Sequence, residues 1–488
     1  MTDTQTNTVR PTDHRSEYEH LFPLPLTVFE RLMIEDDRPG YPMNIVAKLH
    51  FRGRLDQPAF LQSVAEAAGR HPMLLCHLTG KGSKSKWELA ENPQVSVTIV
   101  EGDNAIAQVV DQPQIDIRKE CGVRVIGRIG GDESSVEIEL HHAACDGQGC
   151  RFFIIDFVTA YARLMDTSGS PPPWLRINYD RLRQRGQFAA KPAPEAPEEE
   201  TTETSLAQKI KDAWAFANER PRPLRTKTSK PIVATTHRPR VLEHYFSAAE
   251  TSHFQQLATE AHTTLNDVAI ALMFKTAAEW NARHGASPSE QVRVVMPTDL
   301  RDRRDGRMTA TNRMSYAFIV RRISDCKSTS ELLQGLFRQT RYIKQVRLGL
   351  DFLFMLGLLG KIPGAIRGFT RMPSCFATVV LTNLGETTRQ VRRRFPSQDG
   401  IPKVGNLLLE RLIGVPPIRP RTKVSAGLCF CSGVMGISLR CDPQWISADE
   451  SQQFLDAFVS TWRQWADEAN QNQPNELATS SQGKRKVS

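Results

Sequence analysis

A mixed α/β fold (α+β in class) built as two units is what this sequence predicts, and three observations carry the prediction. Its 488 residues exceed what one compact core normally holds. Segments with period-2 apolar alternation, the mark of strands, recur between long apolar runs suited to buried helices. Between Gln187 and Ser205 lies an acidic, proline-rich run with nothing to bury, which reads as an exposed linker. The expected organisation is a disordered leader (1–18), a first unit (19–185), a partly disordered linker (186–238), a second unit (239–470) and a disordered tail (471–488).

In the first unit, Tyr41–Phe51 reads as a strand, Gly53-Arg-Leu-Asp56 as a turn, and Gln57–Gly69 as a helix with Phe60, Leu61, Val64 and Ala67 on its apolar face. Trp87–Val100 and Val123–Arg128 read as further strands. In the second unit, Leu242–Phe246 is a strand, and Ser247 caps the next helix with Glu250 as capping-box partner. Thr264–Trp280 reads as a buried helix and Val292–Met296 as an apolar strand. Helices follow over 329–360, then a strand at Phe376–Gly385, a hairpin over Val424–Arg440 through Ser432-Gly433, and a closing helix over Asp449–Ala469.

Composition narrows the function. The net charge of +9 invites an anionic partner, but no nucleic-acid-binding signature supports nucleic acid. A small anionic cosubstrate fits the charge. Nine cysteines, an odd number without a C-x-x-C pair, read as reduced thiols of a cytoplasmic protein with no metal site. Met1–Arg15 lacks the apolar core of a signal peptide. The longest apolar run, Leu350–Gly360, is too short to span a bilayer. A monomer with at most peripheral membrane contact is therefore expected.

The chemistry concentrates in Ser135-Val-Glu-Ile-Glu-Leu-His141-His142-Ala-Ala-Cys-Asp146-Gly147-Gln-Gly149. Val136, Ile138 and Leu140 alternate with Glu137 and Glu139, giving a strand with one buried and one wetter face. His142 continues the apolar side, whereas His141 falls with the glutamates. A turn-rich break follows, and then a long apolar helix over Arg151–Met165. A histidine is thus delivered from a strand end into an interior space, with a carboxylate four residues on. That is how a general base is positioned.

His141-His142-x-x-x-Asp146-Gly147 resembles the motif of the chloramphenicol acetyltransferase-like, CoA-dependent acyltransferase superfamily, which includes condensation domains, alcohol acyltransferases and wax ester synthases. Further segments extend the resemblance over about 20–465. Arg70-His-Pro-Met-Leu74 resembles a condensation-domain segment, with Leu75 where that segment carries a second arginine. Asn266-Asp267-Val, Pro297-Thr-Asp-Leu-Arg301 with Asn312-Arg-Met-Ser315, and Thr382-Asn383-Leu-Gly385 follow in the superfamily's order.

The resemblance implies two similar subdomains, a pseudo-dimer around a central tunnel where an acyl thioester meets its acceptor. It implies His142 as the base, assisted by the motif residues His141, Asp146 and Gly147. Asp146 would pair with Arg70 or Arg301, and Gly147 would leave room for a pantetheine arm. Asn383 or Thr382 would face the substrate oxyanion. Arg303, Arg304 and Arg307, with Arg389, Arg392, Arg393 and Arg394, are candidates for CoA phosphates. No bound cofactor is implied: acyl-CoA or an acyl-phosphopantetheine thioester is the cosubstrate, and an alcohol or amine the acceptor. Free acyl-CoA is the expected donor. The alternatives are a free-standing condensation enzyme working with an acyl or peptidyl carrier protein, and a non-catalytic interaction protein that keeps the fold.

Overall fold

The computed structural model describes residues 2–188, 219–228, 231, 240–345 and 348–482. Most of the run read as a linker lies outside the described residues, as does the end of the chain from 483.

The first half carries β1 (Asp3–Val9), β2 (Leu24–Pro25), α1 (Val28–Asp36), β3 (Asn44–Arg52), α2 (Gln57–Gly69), β4 (Cys76–Thr79), β5 (Lys86–Leu89), β6 (Val95–Glu101), β7 (Val123–Ile129), β8 (Glu133–His141) and α3 (Gly147–Leu164). The second carries β9 (Val241–Tyr245), α4 (Ala248–Glu260), α5 (Leu265–Arg283), β10 (Gln291–Asp299), β11 (Met314–Arg322), α6 (Thr329–Gln345), α7 (Gly349–Leu359) and α8 (Ala365–Arg371). It continues through β12 (Val379–Glu386), α9 (Arg389–Arg392), β13 (Ser397–Gln398), β14 (Ile401–Val404), β15 (Leu407–Val415), β16 (Val424–Cys431), β17 (Val434–Cys441) and α10 (Ala448–Gln482).

Among the described residues two main sheets form. One has eight strands in the order β1-β6-β7-β8-β3-β15-β14-β13; the other has six, β11-β10-β12-β16-β17-β9. A small third sheet, β2-β5-β4, lies beside the first. Helices α2 and α3 meet through Phe60 and Phe157, edge to face at 6.0 Å, and bury the apolar side of β8 with them. In the second half, α5 and α10 supply Val268, Phe274, Phe458 and Trp462 to a core shared with β10, β16 and β17. The expected cap forms, Ser247 and Glu250 exchanging bonds at the start of α4, and Thr264 and Asp267 make a second capping box at the start of α5.

The structure corrects four expectations. The leader is not disordered throughout, because Asp3–Val9 forms the edge strand β1, antiparallel to β6. Its residues are mostly exposed, so it owes its order to backbone pairing and shows no apolar pattern in the sequence. The boundaries of the second unit are broken as well, since β13, β14 and β15 leave it and extend the first sheet, β15 lying antiparallel to β3. The closing helix runs on to Gln482, through much of the run read as tail. Finally, the glutamate side of β8 is not wet. Glu139 is buried and accepts from Asn44 Nδ2 at 2.9 Å.

The reason is the seam between the sheets. On that side, Val46 packs with Ile413, Val415, Val241 and Tyr245. Lys48 and His50 reach Glu243 of β9 at 2.9 and 3.2 Å. Burial works to raise the Glu243 carboxyl, but the His50 and Lys48 partners hold it down at about 2.

Where β15 crosses β16, two backbones approach without side chains between them. A Cβ on Gly427 would stand 2.1 Å from the Gly414 carbonyl oxygen, which also accepts from Ser438 Oγ at 2.6 Å. We expect Gly427→Ala to destabilise the protein by about 1–3 kcal/mol, the range for overpacking. Gly131→Ala, whose Cβ would meet nothing within 4 Å, should change it little. Denaturant unfolding of both variants checks this.

Candidate active site

Strand β8 ends at His141, held between Asn44 of β3 and the carbonyl of Gly122. The His142 amide then donates to the Met43 carbonyl at 2.6 Å, and the chain turns through Ala143–Cys145 into α3. Asp146 is the N-cap of that helix, so α3 starts four residues before the expected Arg151.

The two histidines differ in what their rings do. His142 Nδ1 lies 3.1 Å from the Cys145 carbonyl oxygen. A carbonyl can only accept, so Nδ1 carries the proton and Nε2 presents the lone pair. Nε2 has no hydrogen-bond partner among the described residues. Burial pushes the His142 pKa below the ordinary range, against the pull of the Asp146 carboxylate. His141 is arranged the other way round. Its Nδ1 accepts from the Ala143 amide at 3.2 Å, which directs Nε2–H toward Asp37 Oδ2 at 3.4 Å. Asp37 in turn accepts from the Met43 amide and from Gln114. His141 is therefore wholly committed to protein partners.

Asp146 is buried and its carboxylate is saturated. Oδ1 accepts from the Gly149 amide at 2.8 Å and from Arg301 Nη2 at 2.9 Å. Oδ2 accepts from Arg301 Nη1 at 2.8 Å and from the Arg313 amide at 2.7 Å. Of the two arginines expected from sequence, Arg301 is the partner. Burial acts to lower the Arg301 pKa, but Asp146 and Asp299 outweigh it and hold the guanidinium protonated more firmly than usual. Arg70 instead meets Asp156 of α3 at 2.7 Å and stacks over Trp174.

Residues 299–313 of the second half thus close over the motif of the first. Asn312 Nδ2 donates to the carbonyls of His142 at 2.6 Å and Ala143 at 2.8 Å. The Ala310 amide donates to His71 Nδ1 at 2.9 Å. Asp305, fully buried, pairs with Arg181 and with Arg313, whose Nε stands at 2.9 Å. Gly149 is required here, because a Cβ would stand 2.8 Å from both Thr311 N and Thr311 O.

Gly147 faces Leu384. A Cβ there would stand 2.7 Å from Leu384 Cδ2, so the end of β12 reaches the motif. Thr382 and Asn383 lie on that strand end, half-buried. Asn383 Oδ1 accepts from the Gly385 amide at 2.8 Å, and its Nδ2 faces Asn266 Oδ1 at 3.5 Å. Arg303, Arg304 and Arg307 are exposed on the 299–313 segment, Arg304 paired with Asp302 at 2.7 Å. Arg389, Arg392 and Arg393 are exposed around α9, while Arg394 folds back onto the Pro173 carbonyl. No cluster of three or more His, Cys, Asp or Glu suited to a metal occurs among the described residues.

Sequence reading missed the anchors made by backbone carbonyls and by Asn312 and Asp37. Asn312 was visible only as part of a resembling segment, and Asp37 carried no signal.

No protein-family model matches the chain. It is 23% identical over 344 residues to an uncharacterized protein of Mycobacterium tuberculosis strain H37Rv, covering 64% of this chain and 71% of the relative. Solved structures share the fold over most of the chain. Polyketide synthase associated protein 5 from Mycobacterium tuberculosis is 17% identical, with a TM-score of 0.58 over 91% of this chain and 98% of that one. The starter condensation domain of rhizomide synthetase, as a mutant in complex with C8-CoA and Leu-SNAC, is 12% identical, with a TM-score of 0.60 over 92% and 96%. A trichothecene 15-O-acetyltransferase from Fusarium sporotrichioides is 12% identical, with a TM-score of 0.59 over 90% and 93%. The two-subdomain fold of the chloramphenicol acetyltransferase-like proteins, implied by the motif, is therefore the fold of this chain.

Asp146→Asn keeps the shape but removes the charge that Arg301 faces. We expect about 3–5 kcal/mol of stability to be lost, as for other broken buried pairs. Equilibrium urea unfolding measures it.

Proposed function

We propose that this protein moves an acyl group from a thioester to a hydroxyl or amine, with His142 as the general base. One observation supports this above the others: the His142 ring is anchored through Nδ1 to the Cys145 carbonyl, which leaves Nε2 without a protein partner where the two halves meet. An acceptor O–H or N–H would give its proton to Nε2 as its oxygen or nitrogen attacks the thioester carbonyl. When the tetrahedral intermediate collapses, the C–S bond breaks and the imidazolium returns the proton to the leaving thiolate. Burial suits this cycle, because a lowered pKa keeps the imidazole neutral until the acceptor arrives.

Asp146 is assigned a positioning role. Its four acceptor contacts leave it no free geometry for proton transfer, whereas they fix the turn that carries His142. His141 has the same character, holding Asp37 and the Ala143 amide. Thr382 and Asn383 are the proposed neighbours of the oxyanion, on the strand end that reaches Gly147 through Leu384. The thiol carrier of the donor would be CoA or a phosphopantetheine arm; the C8-CoA complex of a neighbour with this fold favours CoA. Arg303, Arg304 and Arg307 are the proposed phosphate contacts. The fold also serves an epimerization domain of tyrocidine synthetase B, so the fold alone does not set the chemistry, which the histidine carries.

The second reading is a condensation enzyme that takes both substrates from carrier proteins. The condensation and cyclization domains among the neighbours favour it.

We expect His142→Ala to lower kcat/KM by about 10²–10⁴ while leaving the melting temperature near wild type. His141→Ala should cost less activity and more stability, since its ring bonds only to protein. Activity of the His142 variant within tenfold of wild type would reject His142 as the base. The acid limb of the kcat/KM profile should also lie below the ordinary histidine value of 6.5, because the neutral base survives until pH falls through the lowered pKa. Rates with one acyl chain on CoA, on pantetheine and on a carrier protein separate the two readings: turnover from the carrier alone selects the condensation enzyme.

A further inference from the structure

Seven large apolar side chains are exposed among the described residues, and five of them fall between Tyr342 and Met372. The group comprises Tyr342, Phe354, Leu358, Ile362 and Met372, with Ile362 the most open at 61%. Tyr342 lies near the end of α6, and the other four lie in or beside α7 and α8, which contain the longest apolar run of the sequence. Over residues 338–372 the chain has seven Lys or Arg against a single acid, Asp351. Scattered exposed apolar residues need no explanation, but five of them concentrated in one segment that carries one sign of charge do.

The hairpin is fastened to the body on one side. Phe352, Leu353 and Leu356 of α7 and Ile366 of α8 are buried, with Phe352 packed 5.2 Å from Phe318. Arg31 Nη1 donates to the Gly360 carbonyl at 3.3 Å, Arg38 Nη2 to the Thr370 carbonyl at 2.6 Å, and Thr370 Oγ1 to the Glu35 carbonyl at 3.2 Å. The opposite side presents Leu358 and Ile362 with exposed Lys361, Arg367 and Arg371. None of those three cations makes an ion pair among the described residues. Helix α7 spans 11 residues, and no helix among the described residues is long and apolar enough to cross a membrane. Such an element can lie in a lipid surface but not through it.

We infer that the α7–α8 hairpin is a docking face for an anionic lipid bilayer, with Leu358 and Ile362 entering the acyl boundary and Lys361, Arg367 and Arg371 meeting lipid phosphates. Charge and apolarity together select this occupant. An acidic protein or a nucleic acid would answer the cations, but a bilayer answers the cations and the projecting apolar groups at different depths. The inference does not depend on the acyl-transfer reading.

The test is co-sedimentation of the full-length protein with vesicles of phosphatidylcholine alone, or of phosphatidylcholine and phosphatidylglycerol at about 7:3. We expect at least about tenfold more protein on the anionic vesicles in low salt, and a marked loss in about 0.5 M salt. Replacing Lys361, Arg367 and Arg371 together by Glu should bring binding down to the phosphatidylcholine level. Leu358→Ser with Ile362→Ser should cut binding to the anionic vesicles at least about fivefold. Both variants should melt with the wild type, because the altered side chains are exposed. Equal partition onto the two vesicle types, undiminished binding by the variants, or no binding to either vesicle would each overturn the inference; the last, with capture by an acidic polypeptide such as polyglutamate, would assign the face to protein.

Discussion

The ion pair between Asp146 and Arg301 is the contact on which the site depends. Burying two charges is costly unless every lone pair and proton finds a partner. Here the carboxylate receives two guanidinium bonds and two amide bonds, one from its own helix and one from Arg313 of the facing 299–313 segment. Removing either half would leave a charge stranded in the interior. The pair therefore locks the turn of the first half to residues 299–313 of the second, and His142 stands on that turn.

A division of labour between adjacent histidines follows. His141 turns toward Asp37 and holds the strand end, while His142 commits one nitrogen to the Cys145 carbonyl and leaves the other without a protein partner among the described residues. Asn312 ties down the carbonyls of His142 and Ala143 from the second half. The ring proposed as the base is thus aimed by backbone carbonyls and by an amide from across the seam.

Much of this could be read from residues alone. The alternation of Val136, Ile138 and Leu140 placed His142 at a strand end, and the glycines after it foretold the turn. Ser247 with Glu250 named a helix start correctly. What escaped were features without a local pattern. β1 is polar and exposed, held only by its backbone, and so left no periodicity to find. Glu137 and Glu139 looked like a solvent face because the sequence cannot say what covers a sheet from the far side. Arg70 and Arg301 were equally plausible partners for Asp146 until the fold brought one of them 155 positions along the chain to the carboxylate. Long-range choices of that kind are settled by topology.

The passage of β13, β14 and β15 into the first sheet bears on how such proteins can be recombined. Residues 397–415 follow most of the second half in sequence but belong to the first in space, with β15 paired to β3. A breakpoint in the central linker would separate β15 from the strand it was matched to. The Gly414 carbonyl, in turn, is fitted to Gly427 and Ser438 on the far side of the seam. A chimera between relatives would therefore need three segments, with the β13–β15 run carried along with the N-terminal partner. Inheritance by halves would break the register of both sheets at once.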